Sequence, residues 1–518
     1  MILLILIPVF TALIVYLLKS EKIVRLSLLS IPVEIYLMYQ LFLKVNENGF
    51  YEKIVGGWPE IVGISLYVDY ISFVFLFISV VAWLASSYYS LTKRSKDYKF
   101  FFFLHFLRGT FYGLIFSNDL FNIFVFIEII SVISTLLIIY KKDGFSLRAG
   151  LYYLMFNSVG MFFYLMGVII IYMRIGTVNL NFITNLPFDF TTKVAFAMIV
   201  TALGVKSAFF PVYTWTWLPR AHMAAPSGMS ALLSSVLVKS GFIVLVKLYR
   251  FLPEGIFFRY LLIMGLLKAV SGIMFALSQK DIKGILAFST ISQSGLILAA
   301  ISGVGTLHIA GLVHLINHSL FKGLMFLTVG VIIKHYHVRE VKHIRGLLKK
   351  FPALAFFLIV GALSITGFPF TNGFVSKHLI KYALEGNTII RYALHLINIG
   401  TIVYMLKLSQ VLFGKAKSNR TEKIKVSSLP LVFLAGLTLV AGFVEMFILK
   451  NYLDIVVKVH FSDFVTYFVY LGIGYLIHRY IVNRDVKVLQ FLRKYQLGFT
   501  KANIVLALFL MLTMTFLY

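Results

Sequence analysis

GVKSAFFPVYTW (204–215) sets a glycine, a lysine and a proline inside a stretch of membrane length, and TGFPFTNGFVSK (366–377) repeats the combination. Proline removes a backbone hydrogen bond and frees carbonyls, and in lipid such a break survives only where protein or a wet cavity covers it. The two stretches therefore predict broken helices at Pro211 and Pro369; the plainer alternative is a pair of structural kinks. The lysines repeat too: Lys239 follows Lys206 one span later, and Lys407 follows Lys377 one span later.

The surroundings are those of an all-α, polytopic membrane protein: 518 residues, 60% hydrophobic, 16% aromatic and 13% charged. Windows of about 20 apolar residues fall near 1–18, 24–43, 67–91, 99–117, 118–140, 149–173, 194–215, 226–249, 257–278, 284–302, 306–333, 352–380, 391–413, 428–449, 462–482 and 502–518. The predicted count is therefore fourteen to sixteen helices. The first window lacks a basic n-region and a small-residue cleavage site, so it is expected to be retained. Five spans separate the two broken ones, and an odd number inverts the second copy relative to the first, the arrangement of many secondary transporters. The expected organisation is three N-terminal helices (1–98), a first five-helix repeat (99–251), an inverted second repeat (257–413) and C-terminal helices (428–518).

A net charge of +28 raises the question of nucleic acid. With alternating spans, about 30 of the lysines and arginines fall in the loops on one side and about 11 on the other, a positive-inside pattern. Runs such as TKRSKDYK (92–99), KHYHVREVKHIRGLLKK (334–350) and GKAKSNRTEKIK (414–425) carry it. The basicity thus answers to lipid headgroups in a cell membrane, and no nucleic-acid partner is expected. Cysteine is absent, which excludes disulfides, thiolate-held clusters and thiol catalysis. No phosphate-binding loop or dinucleotide fingerprint occurs, so no cofactor is expected and any redox chemistry lies on another chain.

Ionisable residues inside spans mark ion paths, because an ion at mid-bilayer costs about 2.5–3.5 kcal/mol even on lenient scales. Arg108, Glu128, Lys206, Lys239, Lys268, Lys322, Lys377 and Lys407 qualify. Glu128 ends NDLFNIFVFIE (118–128), and Lys206 is its expected partner; the alternative is a static pair locking two helices, which adds little net stability. Lysine suits switching, because burial makes its proton releasable near neutral pH whereas arginine stays charged. HLINHSLFKG (314–323) puts His314, His318 and Lys322 on one helical face at i, i+4 steps. Histidine relays protons near neutrality. A zinc site is the alternative, but no cysteine or nearby acid completes a shell and Lys322 repels a cation; no metal is expected. Ser230, Ser234, Ser235, Ser289, Thr290, Ser292, Gln293 and Ser294 fill the gaps, either as part of a proton file or as helix–helix glue. Arg108 and Lys268 read as structural or snorkelling, and Lys407 as a candidate gate or an interface anchor. Deep lysines repel sodium, so protons fit better.

With GGWPEIVGISLYVDYIS (56–72), LPRAH (218–222) and APSGMSALLSSVLVKSG (225–241) added to the stretches above, residues 56 to 410 resemble the antiporter-like subunits shared by Mrp-type cation/proton antiporters, respiratory complex I and membrane-bound hydrogenases. The resemblance implies that Glu128 is the fifth-span glutamate and Lys206 its seventh-span partner. It makes Lys239 the connecting lysine, His318 and Lys322 the central bridge, and Lys377 the twelfth-span group at the far half-channel. It further implies lateral proton transfer between two half-channels, with other membrane subunits as partners and sodium carried, where it moves, by neighbours. NDLFNIFVFIE and the lysine of GFVSK resemble the Mrp D type; Arg220 looks more like the hydrogenase-linked members. The tail around NRDVKVLQFLRKYQ (483–496) resembles in miniature the extension of the distal complex I subunit. The competing expectations are a stand-alone transporter of a small solute, a structural membrane subunit without a pathway, and a quinone-handling subunit.

Overall fold

The computed structural model describes the chain apart from residues 188, 212–215, 254, 416–427, 496–497 and 518. The end of the first broken stretch and nearly all of the basic run 414–425 lie outside the described residues.

In chain order the helices are α1 (Ile2–Leu18), α2 (Glu21–Leu26), α3 (Ser30–Asn48), α4 (Tyr70–Arg94), α5 (Tyr98–Phe116), α6 (Leu120–Ile138), α7 (Gly144–Ile175), α8 (Phe190–Lys206), α9 (Leu218–Ala224), α10 (Ser227–Ser235) and α11 (Ser240–Leu248). They continue with α12 (Ile256–Ser278), α13 (Ile282–Ile301), α14 (Thr306–Tyr336), α15 (Leu347–Lys350), α16 (Pro352–Thr366), α17 (Asn372–Ala383), α18 (Thr388–Ser409), α19 (Leu429–Leu453), α20 (Phe461–Ile477), α21 (Lys487–Lys494) and α22 (Phe499–Leu517). Each of the sixteen apolar windows is occupied by helix. Among the described residues twelve helices are long and apolar enough to cross a membrane. The other four windows hold the 17-residue α1, α5 with its internal Arg108, and the two interrupted helices. A short antiparallel ribbon, β1 (Phe50–Ile54) with β2 (Ser65–Asp69), joins α3 to α4.

Aspartate starts many of these helices. Asp69, Asp97, Asp119, Asp143, Asp189 and Asp281 each accept a hydrogen bond from a backbone N–H of the first turn of α4, α5, α6, α7, α8 and α13, satisfying donors that the helix leaves unpaired. Much of the chain's acidity is therefore placed at helix ends. Among the described residues, Glu34, Glu128 and Glu445 are the glutamates placed well inside membrane-length helices.

Both breaks are present. α8 stops at Lys206, followed by Ala208 at φ 52° and then Pro211. α16 stops at Thr366, where Gly367 (φ 76°) and Phe370 (φ 70°) turn the chain around Pro369 before Thr371 caps α17. A third interruption was not foreseen in the window 226–249: α10 gives way to a 3₁₀ turn at Leu237–Lys239 before α11 resumes. No proline marks it.

Two compact units divide the chain. One comprises residues 1–229, 236–257 and 498–518, so α22 belongs to it; within it α7 and α22 pack against α8. Phe509 of α22 faces Gly204, and Phe499 meets Phe156 of α7 with ring centroids 5.5 Å apart. The other comprises 230–235 and 258–497. There α14 is central, packed on α13, α16, α17 and α19.

Candidate functional site

In the first unit, Glu128 and Lys206 occur on neighbouring ground, but no ion pair joins them. Lys206 Nζ donates to Ser131 Oγ at 2.7 Å, and Ser131 Oγ donates onward to the Ile127 carbonyl at 2.7 Å. Ser131 stands one helical turn after Glu128 on α6. Glu128 Oε1 is buried without a hydrogen-bond partner. The Tyr153 ring lies 5.6 Å from Lys206 Nζ. Lys206 is 2% exposed.

Lys239 is fully buried in the distorted turn. Ser207, the residue after Lys206, donates to the Val238 carbonyl at 3.0 Å, which ties the α8 break to that turn. Gly241 permits the approach, since a Cβ there would stand 2.3 Å from Ser207 Oγ.

In the second unit, α14 carries His314, Asn317, His318 and Lys322, all buried. Lys322 Nζ donates to the Leu286 carbonyl at 3.2 Å and to Ser289 Oγ of α13. His314 Nδ1 lies 2.9 Å from Ser376 Oγ, beside Lys377 in sequence. The His318 ring packs edge-on against Phe321. Ser234 and Thr290 hydroxyls meet at 2.8 Å, and Ser319 donates to the Ser235 carbonyl. Gln293 donates to Thr401 and Tyr404 of α18.

A common geometry emerges among the lysines. Lys206 is the last residue of α8. Lys377 reaches back across the second break to the Ile365 carbonyl, in the last turn of α16, at 2.8 Å. Lys407 donates to the Leu277 carbonyl in the last turn of α12. Helix C-termini present unpaired carbonyls and the negative end of the macrodipole, so the Lys377 and Lys407 ammonium groups are each held by a helix end, whereas that of Lys206 rests on the Ser131 hydroxyl.

Glu34, Glu445 and Lys283, which the sequence reading passed over, complete the picture together with the burial of Arg108 and Lys268. Arg108 does not snorkel: it forms a fully buried ion pair with Glu34 of α3. Glu34 sits inside the window 24–43, and the rule that flagged Arg108 applies to it equally. Glu445, inside the window 428–449, accepts from Asn317 at 2.9 Å. Lys283 of α13 is buried and donates to Ser230 at 3.1 Å. Lys268 is fully buried in α12.

Residues 117–402, more than half of the chain, match the family described as NADH:quinone oxidoreductase/Mrp antiporter, TM. The chain belongs to this family. Among relatives of this NADH:quinone oxidoreductase/Mrp antiporter member, the D-type Na(+)/H(+) antiporter protein of Alkalihalophilus pseudofirmus is 28% identical over 79% of this chain and 86% of its own length. Hydrogenase-4 component B of Escherichia coli is 32% identical over 61% of this chain and 50% of its own length. The A-type protein of the Alkalihalophilus pseudofirmus antiporter is 30% identical over 80% of this chain, and the match spans 57% of that longer polypeptide. An archaeal membrane-bound sulfane sulfur reductase contains a chain similar to this one, with a TM-score of 0.79, 26% identity and 91% and 98% of the two chains covered. A chain of the Mrp complex from Dietzia sp. DQ12-45-1b has the same fold, with a TM-score of 0.74 at 20% identity and 98% of each chain covered. The family match takes in Glu128, Lys206, Lys239, His314, His318, Lys322 and Lys377 but ends before Lys407 and Glu445.

Proposed function

We propose that this chain is the proton-translocating membrane subunit of a multisubunit cation/proton antiporter or redox-driven pump. Its partners are other membrane subunits in a prokaryotic plasma membrane. The observation that carries the reading is Lys206 resting on Ser131, one turn from an unpaired Glu128. A lysine that moves between a hydroxyl and a carboxylate gains and loses its reason to hold a proton with each move. In this reading the region 99–251 and an inverted counterpart, 257–413, each supply a half-channel. Lys206 and Lys239 serve the first, Lys377 the second, and His314, His318 and Lys322 bridge them. Protons are the ion of this chain, and any sodium crosses on neighbouring subunits.

Glu128→Gln and Lys206→Ala, each made in the assembled complex and reconstituted in liposomes, test the proposal. Loss of pH-gradient formation with assembly intact is the expected result; wild-type gradient formation in both overturns it.

A further inference from the structure

Glu445 lies outside the region matched by the family, yet its carboxyl is drawn into the second broken helix. Part of the residue reaches the surface of the second unit, but Oε1 is buried and has no hydrogen-bond partner. Oε2 accepts from Asn317 Nδ2 at 2.9 Å, and the same amide donates to the Asn372 carbonyl at 2.8 Å, at the first residue of α17. Three residues before Glu445, Gly442 brings α19 onto the backbone of the break: a Cβ there would stand 2.8 Å from the Phe370 carbonyl. Asn317 and Asn372 are themselves fully buried, and each keeps one unsatisfied atom, Oδ1 and Nδ2 respectively. The break, α14 and α19 thus meet at the Glu445 carboxyl, the Asn317 amide and the Asn372 backbone carbonyl.

Among the described residues nothing in reach neutralises that carboxyl. The ionisable groups of the helices packed against α19 are His308, His314, His318, Lys322, Lys334, His335 and Tyr336 of α14 and Lys377, His378, Lys381 and Tyr382 of α17; α16 has none. None of them lies within ion-pair distance of Glu445. An ionised carboxylate inside a membrane protein needs a counter-charge. A metal ion would need more oxygens than one carboxyl and one amide oxygen provide, and the Asn317 amide nitrogen already occupies one side of the carboxyl. Electric neutrality is most simply reached by a proton.

We propose that Glu445 is a proton-binding carboxyl of the second half of the molecule, loaded and unloaded at Oε1 beside the α16–α17 break. The proton adds to Oε1 and leaves from it, with no bond between heavy atoms changed. Asn317 acts as a positioning residue: its amide fixes the carboxyl against the Asn372 carbonyl, one residue before His318 on α14. The inference rests on the proton-translocating reading above and adds a loading point to it, supplied by a helix beyond the family region.

The test uses the assembled complex in liposomes and two readouts. Infrared difference spectra taken across pH should contain a buried-carboxyl band that Glu445→Gln removes. Asn317→Ala should keep the band and move its pH midpoint. Gradient formation should fall about tenfold or more in Glu445→Gln, and Glu445→Asp should restore part of it. Glutamine keeps an acceptor for Asn317, so folding is preserved. Wild-type gradient formation in Glu445→Gln, or an unchanged band, overturns the proposal; so does a band that responds to sodium at fixed pH, which would make the site a cation site. The band is read whether or not the complex pumps, so its absence is distinguishable from failure of the Glu128 and Lys206 variants to abolish pumping.

Discussion

Arg108 Nη2 lies 3.0 Å from Glu34 Oε1, and neither side chain has any exposed surface. Ser30 Oγ accepts from the same guanidinium at 2.7 Å, and the Tyr112 hydroxyl donates to Glu34 at 3.1 Å. One helical turn before Arg108, His105 bonds Ser27 at 2.8 Å. The cluster binds α3 and the short turn before it to α5. These contacts tie the two helices together without reaching any of the lysines above.

Removing one partner leaves a buried charge uncompensated, so Glu34→Ala or Arg108→Ala should each destabilise by about 3–5 kcal/mol. The paired replacement Glu34→Leu with Arg108→Met should recover most of that loss. Thermal unfolding of the purified complex measures stability. Gradient formation in the double variant should stay near wild type; its loss would move the cluster into the pathway.

Ser131→Ala removes the acceptor that holds Lys206 away from Glu128. A hydrogen bond to a charged group contributes about 1.5–3 kcal/mol, so the balance should shift toward the pair by about tenfold or more. A lysine locked on its carboxylate turns over slowly. The initial rate of gradient formation should fall accordingly, and Ser131→Thr, which keeps the hydroxyl, should retain it.

Glycine contacts give a contrast within the second unit. A Cβ at Gly373 would stand 1.7 Å from the Ser364 carbonyl, whereas at Gly436 it would meet nothing within 4 Å. Gly373→Ala must push α17 off the end of α16 and should cut the yield of assembled complex severely. Gly436→Ala should change stability by less than about 0.5 kcal/mol. Comparing the yield of complex after detergent extraction checks both.

Outside the spans, Asp485 joins the start of the tail to the rest of its unit. Arg493 grips its carboxyl with two N–H groups, and its Nε donates to the Ser278 carbonyl at 2.6 Å; Lys280 lies 3.5 Å from Asp485. The Arg493 guanidinium, followed by Lys280, holds the Asp485 carboxyl below the usual aspartate range. A depressed carboxyl stabilises above its unfolded value, about 3.9, and the contribution is lost as pH falls through the folded value. Amide exchange over 483–494 should therefore be slow at neutral pH and rise only below about pH 4. Asp485→Asn should raise it already at pH 7. Equal exchange in wild type and variant would separate the tail from this contact.

Length and hydrophobicity were enough to find all sixteen apolar windows, because a helix in lipid must satisfy its own backbone. Pro211 and Pro369 announced two breaks for the same reason. The turn at Lys239 carried no such announcement: serines, valines and a leucine are compatible with an unbroken helix, and only packing of Ser207 against Val238 distinguishes the two. Lys206 on Ser131 was equally hidden, since helical spacing puts both Ser131 and Glu128 on the same side of α6 without choosing between them. Glu34 and Glu445 stood in plain view, yet each needs a partner from a distant helix, Arg108 or Asn317, before its burial acquires a meaning. The β1–β2 ribbon depends on pairing across a ten-residue connection, which local patterning does not specify.

The assignment of α22 to the first unit bears on how the protein is made. Gly204, two residues before Lys206, has Phe509 as its neighbour, and about three hundred residues must be synthesised between them. During translation the outer face of α8 stays uncovered while the whole second unit emerges and inserts. A ribosome stalled before α22 would leave a chain whose first unit is open beside Gly204, two residues before Lys206. Closure of the first unit around α8 thus waits until α22 has been made.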